Sequence, residues 1–147
     1  MPFAYLFSEC LQGQQCNAPS ALFNVAQELY EYYDSTDPYV VYPDFVEFAK
    51  HQKAKMIVIS NYDKRLPSLL ERLNLAQFFE AVVTSEAAQS SKPEKAIFQW
   101  ALDNCLSLSD LNPNEVLHIG DDSRKDYFGA RDMGWQVCMF LLETVQL

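Results

Sequence analysis

The sequence predicts an α/β fold built on a parallel β-sheet. Residues 55–142 alternate short apolar runs with segments in which apolar residues recur every three or four positions. This alternation of strand and helix patterns is typical of parallel βα units. Residues 1–54 differ, because they combine a short apolar start and a polar loop with two helical patterns. We therefore predict an N-terminal segment with helices, residues 1–54, and an α/β core, residues 55–147.

Four apolar runs predict the strands of the core. Runs of this length that are rich in valine and isoleucine favour strands buried on both faces. The runs are Lys55–Ser60, Ala81–Thr84, Val116–Ile119 and Val137–Leu142.

Apolar stripes between and before these runs predict the helices. In the N-terminal segment one helix runs from Ser20 to about Asp34, and a second follows Pro43. In the core, the expected helices carry the stripes Leu66, Leu69, Leu70, Leu73; Ile97, Phe98, Ala101, Leu102, Cys105; and Tyr127, Ala130, Met133. Pro93 suits the start of the second of these helices, and Gly134 suits the end of the third.

Charge and cysteine usage exclude several function classes. The chain carries 11 Lys and Arg against 20 Asp and Glu, a net charge of −9, which disfavours nucleic acid and anionic membranes as partners. No apolar run approaches the ~18 residues of a membrane span, and Met1–Phe7 lacks the basic start of a signal peptide. The four cysteines are scattered, so we expect free thiols in a reducing, intracellular compartment such as the cytoplasm.

Polar residues that follow the predicted strands indicate a binding site. Ser60 and Asn61 end the first run, and Asp121 and Asp122 end the third, with Asp126 one helical turn later. Lys92 lies in the loop after the second run. Ligands of open parallel sheets bind at the carboxyl ends of the strands, where these groups should converge. Hydroxyl and ammonium groups beside carboxylates suit a phosphate with Mg²⁺.

Each of these residues also has an ordinary structural interpretation. Ser60 could be a turn or cap residue, and Lys92 a solvated surface lysine. Asp121, Asp122 and Asp126 could cap the following helix. His118 lies inside a strand, where a hydrogen-bonded, partly buried histidine is a better interpretation than a ligand.

Taken in order, the strings VISNYD, TSEAAQSSKPEKAIFQWAL and HIGDDSRKDYFGARDMGW resemble the haloacid dehalogenase (HAD) superfamily of hydrolases over roughly residues 26–142. Ser60 matches the family's second motif, Lys92 its third, and Gly120-Asp121 with Asp126 its fourth. The resemblance implies a Rossmannoid sheet and phosphatase-type chemistry dependent on Mg²⁺. In that chemistry an aspartate on the first strand forms an aspartyl-phosphate.

The resemblance also implies a role for each matching residue. Ser60 would donate to a phosphoryl oxygen, helped by the Asn61 backbone N–H. Lys92 would neutralise charge on the nucleophile and the phosphate. Asp121 would bind the metal, and Asp126 would orient Lys92 or a metal-bound water.

The family's first motif, D-x-D-x-T/V, is absent from this sequence. The apolar start PFAYLF carries no aspartate, and Asp34 is the first aspartate of the chain. We therefore expect a sheet without its usual first strand, a remnant of the helical cap, and a chain that is catalytically inactive by itself. A small phosphorylated ligand is the expected partner, and Mg²⁺ the expected, weakly held cofactor.

Two functional alternatives stay open at this point. The chain could be a non-catalytic binding protein that keeps the phosphate crevice. It could be an active phosphatase that uses Glu9 or Cys10 in place of the aspartate. As to the missing strand, Met1–Phe7 could occupy its position, its two neighbours could close up, or the chain could be unstable by itself.

Overall fold

A computed structural model describes residues 20–105 and 111–140. The helices are α1 (Ser20–Asp34), α2 (Pro43–His51), α3 (Leu66–Arg72), α4 (Ser85–Ala88), α5 (Lys95–Asn104) and α6 (Gly129–Arg131). The strands are β1 (Ile57–Ser60), β2 (Ala81–Thr84), β3 (Leu117–Gly120) and β4 (Gln136–Met139). Two 3₁₀ turns, Ala76–Phe78 and Pro113–Glu115, and a π-helical segment, Ser123–Phe128, complete the described elements.

The chain divides into two compact units. The first comprises residues up to Gln52 together with Pro67–Phe78, and the second comprises Lys53–Leu66 and everything from Phe79 onward. The sequence pattern predicted a boundary after residue 54 and did not predict that Pro67–Phe78 groups with the first unit.

The first unit contains helices α1 and α2 and most of α3. Within it, the rings of Phe45 and Phe78 meet edge to face with centroids 6.3 Å apart. The apolar stripe of α1 is mostly exposed. Ala26 is buried, whereas Leu22, Leu29 and Tyr33 are 40–60% exposed. The stripe thus identifies the helix correctly without marking a buried face.

The second unit contains all four described strands, arranged as two parallel pairs. Strand β1 pairs with β2, so that Ser60 stands opposite Thr84. Strand β3 pairs with β4, so that Gly120 stands opposite Met139. Within the described residues no strand joins the two pairs. The α/β class and the parallel pairing confirm the fold predicted from the sequence.

One edge of β1 and one edge of β3 have no described strand beside them. Parallel strands bond a neighbour through alternate residues, so the backbone groups of Leu117 and Ile119 point away from β4. The bonds that set this alternation include Gln136 N to Val116 O at 2.9 Å and Phe140 N to Gly120 O at 2.8 Å. The side chains of Leu117 and Ile119 are each 55% exposed.

Helix α5 carries the core of the second unit. Its Ile97, Phe98 and Ala101 are fully buried. Together with Val83 of β2, Cys105, Ala130 of α6 and Trp135 they form a buried apolar cluster, and residues of β1 and β4 pack against it. Both strand pairs therefore pack against one apolar cluster that is centred on α5.

The helix predicted around Tyr127, Ala130 and Met133 is the main local departure. The chain there forms a π-helical segment followed by the short helix α6. The wider turn arises because the carbonyl of Asp122 accepts bonds from the N–H groups of both Asp126 and Tyr127. Gly134 ends the region with a φ of +78°, in line with the sequence prediction that this glycine ends the helix. The end of the last predicted strand, residues 141–142, and Met1–Phe7 lie outside the described residues.

None of the helices in the described parts of the chain is long and apolar enough to cross a lipid bilayer.

Candidate functional site

Three side chains from distant parts of the sequence meet at the carboxyl ends of the strands of the second unit. Lys92 Nζ donates to Asp126 Oδ1 at 2.6 Å. The same oxygen lies 3.0 Å from Nε2 of His118, a buried residue of β3. The side chains of Lys92, His118 and Asp126 are only 13%, 9% and 4% exposed. The cluster is thus a largely dry hydrogen-bonded network centred on one carboxylate.

The second oxygen of Asp126 is also occupied. Oδ2 accepts the backbone N–H of Asp122 at 3.0 Å, which ties the carboxylate to the residue two positions after β3. Gly120 makes this approach possible, because a Cβ atom there would lie 2.2 Å from Cγ of Asp126. The glycine at the end of β3 is therefore required by the position of the carboxylate.

The side chain of Asn61 holds the backbone of Lys92. Its Oδ1 accepts the Lys92 N–H at 2.7 Å, and its Nδ2 donates to the Lys92 carbonyl at 3.0 Å. These two bonds join the end of β1 to the loop that precedes α5. The resemblance to the HAD family implied a role only for the Asn61 backbone N–H, so this use of the side chain was not predicted.

Ser60 ends β1 and is half-buried next to Asn61. Within the described parts of the chain its hydroxyl forms no hydrogen bond. Its neighbour Thr84 serves a structural purpose, since its Oγ1 accepts the N–H of Ala87 and begins α4. The Ser60 hydroxyl therefore remains available to a ligand, whereas the Thr84 hydroxyl is used by the fold.

The hydrogen bonds of the cluster fix its charge state. Burial by itself would raise the pKa of Asp126, but the bonds from His118 and Lys92 outweigh it and lower the pKa to about 2. Burial lowers the pKa of His118, against the opposing effect of its bond to Asp126. At neutral pH we therefore assign a carboxylate to Asp126 and a neutral imidazole to His118, with the proton on Nε2 facing Asp126 Oδ1.

The other two aspartates at the end of β3 behave differently from each other. Asp122 caps the π-helical segment, because its Oδ1 accepts the N–H groups of Arg124 and Lys125. This is the structural interpretation that its sequence position also allowed. Asp121 is exposed and forms no hydrogen bond or ion pair with any residue that the structure describes.

These carboxylates do not by themselves fit a Mg²⁺ ion. Both oxygens of Asp126 are taken by protein donors, and Asp122 is engaged as a cap and in an ion pair with Lys125. Asp121 alone is left, whereas Mg²⁺ requires octahedral oxygen coordination. Across residues 20–105 and 111–140 no group of three or more His, Cys, Asp or Glu side chains is arranged to hold a metal.

The structure thus brings Asn61, Lys92 and Asp126 together through direct contacts, with Ser60 beside Asn61 and Asp121 beside Asp122. His118 is the buried, hydrogen-bonded histidine that its position inside a strand predicts, but its partner, Asp126, was not predicted. A histidine inside a strand, three residues before an aspartate, gives no local signal of a partner eight residues later in a π-helical segment. The predicted alternatives Glu9 and Cys10 lie outside the described residues.

Comparison with known proteins identifies the family of the chain. A family model described as haloacid dehalogenase-like hydrolase matches residues 9–134. The chain belongs to the haloacid dehalogenase-like hydrolase family. The resemblance predicted from the three strings of sequence is therefore confirmed.

Curated relatives of this HAD-like chain include two eukaryotic proteins. The rhythmically expressed gene 2 protein of Drosophila melanogaster is 42% identical over 86 residues, which cover 58% of this chain and 33% of that protein. The human haloacid dehalogenase-like hydrolase domain-containing protein 3 is 34% identical over 127 residues, covering 84% of this chain and 47% of that protein. The chain thus spans less than half the length of these relatives.

Solved structures agree on the fold. A putative HAD-hydrolase of Bacillus subtilis, solved with bound magnesium, matches 95% of this chain and 62% of its own, with a TM-score of 0.72 and 19% identity. A HAD phosphatase of Thermococcus onnurineus matches 84% of this chain with a TM-score of 0.64 and 21% identity. At these identities the likeness shows the shared fold.

Proposed function

We propose that this HAD-like chain binds the phosphoryl group of a small phosphorylated molecule at the strand ends of its second unit, and that the chain by itself does not hydrolyse that molecule. The observation that carries the proposal is the anchored ammonium of Lys92, held from its backbone by Asn61 and from Nζ by Asp126. A charge fixed in this way meets an anion with little further ordering, which favours binding.

The hydrogen-bond donors of the site support an anionic ligand. Lys92 Nζ has three N–H donors and gives one of them to Asp126, so two remain for phosphoryl oxygens. The Ser60 hydroxyl and the Asn61 backbone N–H stand at the end of the neighbouring strand. Hydrogen bonds from a charged donor to phosphate are the stronger kind, and Lys commonly binds phosphate as a point charge.

The lack of hydrolysis follows from the carboxylates of the chain. The phosphatase-type mechanism that the HAD resemblance implies uses one carboxylate that attacks the phosphorus and a second one for proton transfer. Asp126 is saturated with donors, and Asp122 is a cap. No aspartate precedes Asp34, so the D-x-D pattern is missing from the sequence. Magnesium is expected to add little, because Asp121 would be the one free carboxylate among the described aspartates at the end of β3.

Isothermal titration calorimetry with inorganic phosphate tests whether the chain binds a phosphoryl group. Wild-type protein should bind phosphate, and Ser60→Ala should weaken binding about tenfold, or about 1.4 kcal/mol. Lys92→Met should weaken it further, provided that circular dichroism shows the variant folded. Ser123→Ala, an exposed serine on the π-helical segment, is the matched control and should bind as the wild type does. Absence of phosphate binding by the wild type, or equal binding by Ser60→Ala, would contradict the proposal.

A further inference from the structure

We propose that Asn61 is a positioning residue for Lys92, acting through its side-chain amide rather than through its backbone. The proposal rests on the proposed phosphoryl site, since its purpose is to place the Lys92 ammonium for an anion. It goes beyond the sequence pattern, which gave Asn61 a backbone donor role only.

The geometry of the contact is reciprocal. One carboxamide accepts the N–H and donates to the C=O of the same residue, 31 positions away, at 2.7 and 3.0 Å. Asparagine supplies a donor and an acceptor on one rigid planar group, which aspartate and leucine of similar size do not. The pair of bonds fixes both the position and the direction of the Lys92 peptide.

The contact between Asn61 and Lys92 lies next to the proposed phosphoryl site. Asn61 directly follows Ser60 at the end of β1, so it couples the proposed hydroxyl donor to the proposed ammonium. On the other side, the Lys92 side chain is held by Asp126, which is in turn bonded to His118 of β3 and to the N–H of Asp122. Asn61 is therefore the link from the β1–β2 pair to a network anchored on the β3–β4 pair.

Both ends of Lys92 are thus restrained, the backbone by Asn61 and the ammonium by Asp126. A lysine side chain has several rotatable bonds, and fixing only one end would leave the other free to move. Removing the Asn61 amide should release the backbone end, so that Lys92 Nζ no longer stands at one place relative to Ser60.

A set of Asn61 variants tests the inference. Asn61→Leu keeps the size and removes both bonds, whereas Asn61→Asp keeps only an acceptor for the Lys92 N–H. Phosphate binding should fall about tenfold in Asn61→Leu, a change of about 1.4 kcal/mol. The matched control is Asn104→Leu, which removes an exposed side-chain bond to the Trp100 carbonyl and should leave phosphate binding unchanged.

A double-mutant cycle separates positioning from a general structural effect. If Asn61 acts through Lys92, Asn61→Leu should cause no further loss of phosphate binding in a folded Lys92→Met background. A loss of equal size in both backgrounds would overturn the inference.

A second readout does not depend on phosphate binding or on the Lys92→Met variant. Hydrogen exchange of the Lys92 backbone amide should quicken at least tenfold in Asn61→Leu, and the NMR signal of the His118 ring should shift as Lys92 moves on Asp126. Asn61→Asp should protect the amide better than Asn61→Leu. If wild-type protein fails to bind phosphate, the proposed function fails, while these signals still test the positioning. Unchanged exchange and an unchanged ring signal in Asn61→Leu would overturn it.

Discussion

Nζ of Lys92 lies 2.6 Å from Oδ1 of Asp126, and both side chains are almost entirely shielded from water. The pair joins the loop before α5 to the π-helical segment after β3. A buried ion pair of this kind is not in itself strong evidence of stability, because burial of both charges costs free energy. The pair matters for stability in another way. Removing one of the two side chains leaves the other charge buried and without a partner.

We therefore expect Asp126→Asn to lower the free energy of unfolding by about 3–5 kcal/mol, the range seen when one partner of a buried pair is removed. Urea unfolding followed by circular dichroism measures this. Lys125→Met, which breaks the exposed pair between Lys125 and Asp122, is the matched control and should cost less than about 1 kcal/mol. Similar losses of unfolding free energy in the two variants would contradict the conclusion that the Asp126 carboxylate is a buried partner of Lys92.

Gly120→Ala should also destabilise the protein. The new Cβ atom would lie 2.2 Å from Cγ of Asp126, so the strand or the carboxylate must shift. Forced overpacking costs about 1–3 kcal/mol. The expected result is a lower melting temperature together with a changed NMR signal of the His118 ring, since Asp126 bonds to that ring. A melting temperature equal to that of the wild type would show that the close approach is relaxed in solution.

Acidification should reduce stability in two stages. The pKa of buried His118 is lowered, so the unfolded chain takes up a proton near pH 6.5 that the folded chain does not, and stability falls as the pH drops below that value. The pKa of Asp126 is lowered to about 2 from 3.8, so its contribution is present above 3.8 and is lost as the pH falls toward 2.

Urea unfolding at a series of pH values measures both stages. His118→Gln keeps a donor near Asp126 and does not titrate, so the first stage, between pH 7 and 5, should flatten while the second stays. At most one proton, or about 1.4 kcal/mol per pH unit, is involved in the first stage. An identical slope in wild type and His118→Gln would mean that His118 is not buried in its neutral form.

The edges of β1 and β3 lead to a prediction about association. Exposed strand edges with apolar side chains favour pairing with other chains. Ile119→Lys should therefore reduce self-association, seen by analytical ultracentrifugation, with little loss of stability, because Ile119 is 55% exposed. Val40→Lys, at an apolar residue 81% exposed in the other unit, is the control and should have a smaller effect. Equal effects would indicate general surface hydrophobicity rather than the strand edge.

The sequence predicts the strands well because their cause is local. Short apolar runs, rich in β-branched residues in β1 and β2, specify the four strands, and the alternation with helical patterns specifies parallel pairing. The positive φ of Gly134 also has a local cause, because glycine has no Cβ atom and adopts such angles readily. The same runs place Ser60 and Asp121 at strand ends and Lys92 in the loop after β2, and the resemblance of the ordered motifs to the HAD family adds the role that each residue would have.

Other features could not be predicted because they depend on distant residues. The side-chain clamp of Asn61 requires Lys92 to be nearby, and the bond from His118 requires the π-helical path of Ser123–Phe128. That path itself depends on one carbonyl, that of Asp122, accepting two bonds. The exposure of Leu22, Leu29 and Tyr33 on α1 is likewise a property of packing, which a helical period does not reveal.

The most direct test of the proposed function is a ³¹P NMR titration of phenyl phosphate with the wild-type chain, in the presence of Mg²⁺. One spectrum series reports both binding, through a shift or broadening of the ester signal, and hydrolysis, through the appearance of inorganic phosphate. We expect a saturable change of the ester signal, with an affinity that Ser60→Ala lowers about tenfold. We also expect no inorganic phosphate above the protein-free control. An unperturbed ester signal, or Mg²⁺-dependent release of phosphate that is lost in Asp121→Ala, would contradict the proposed function.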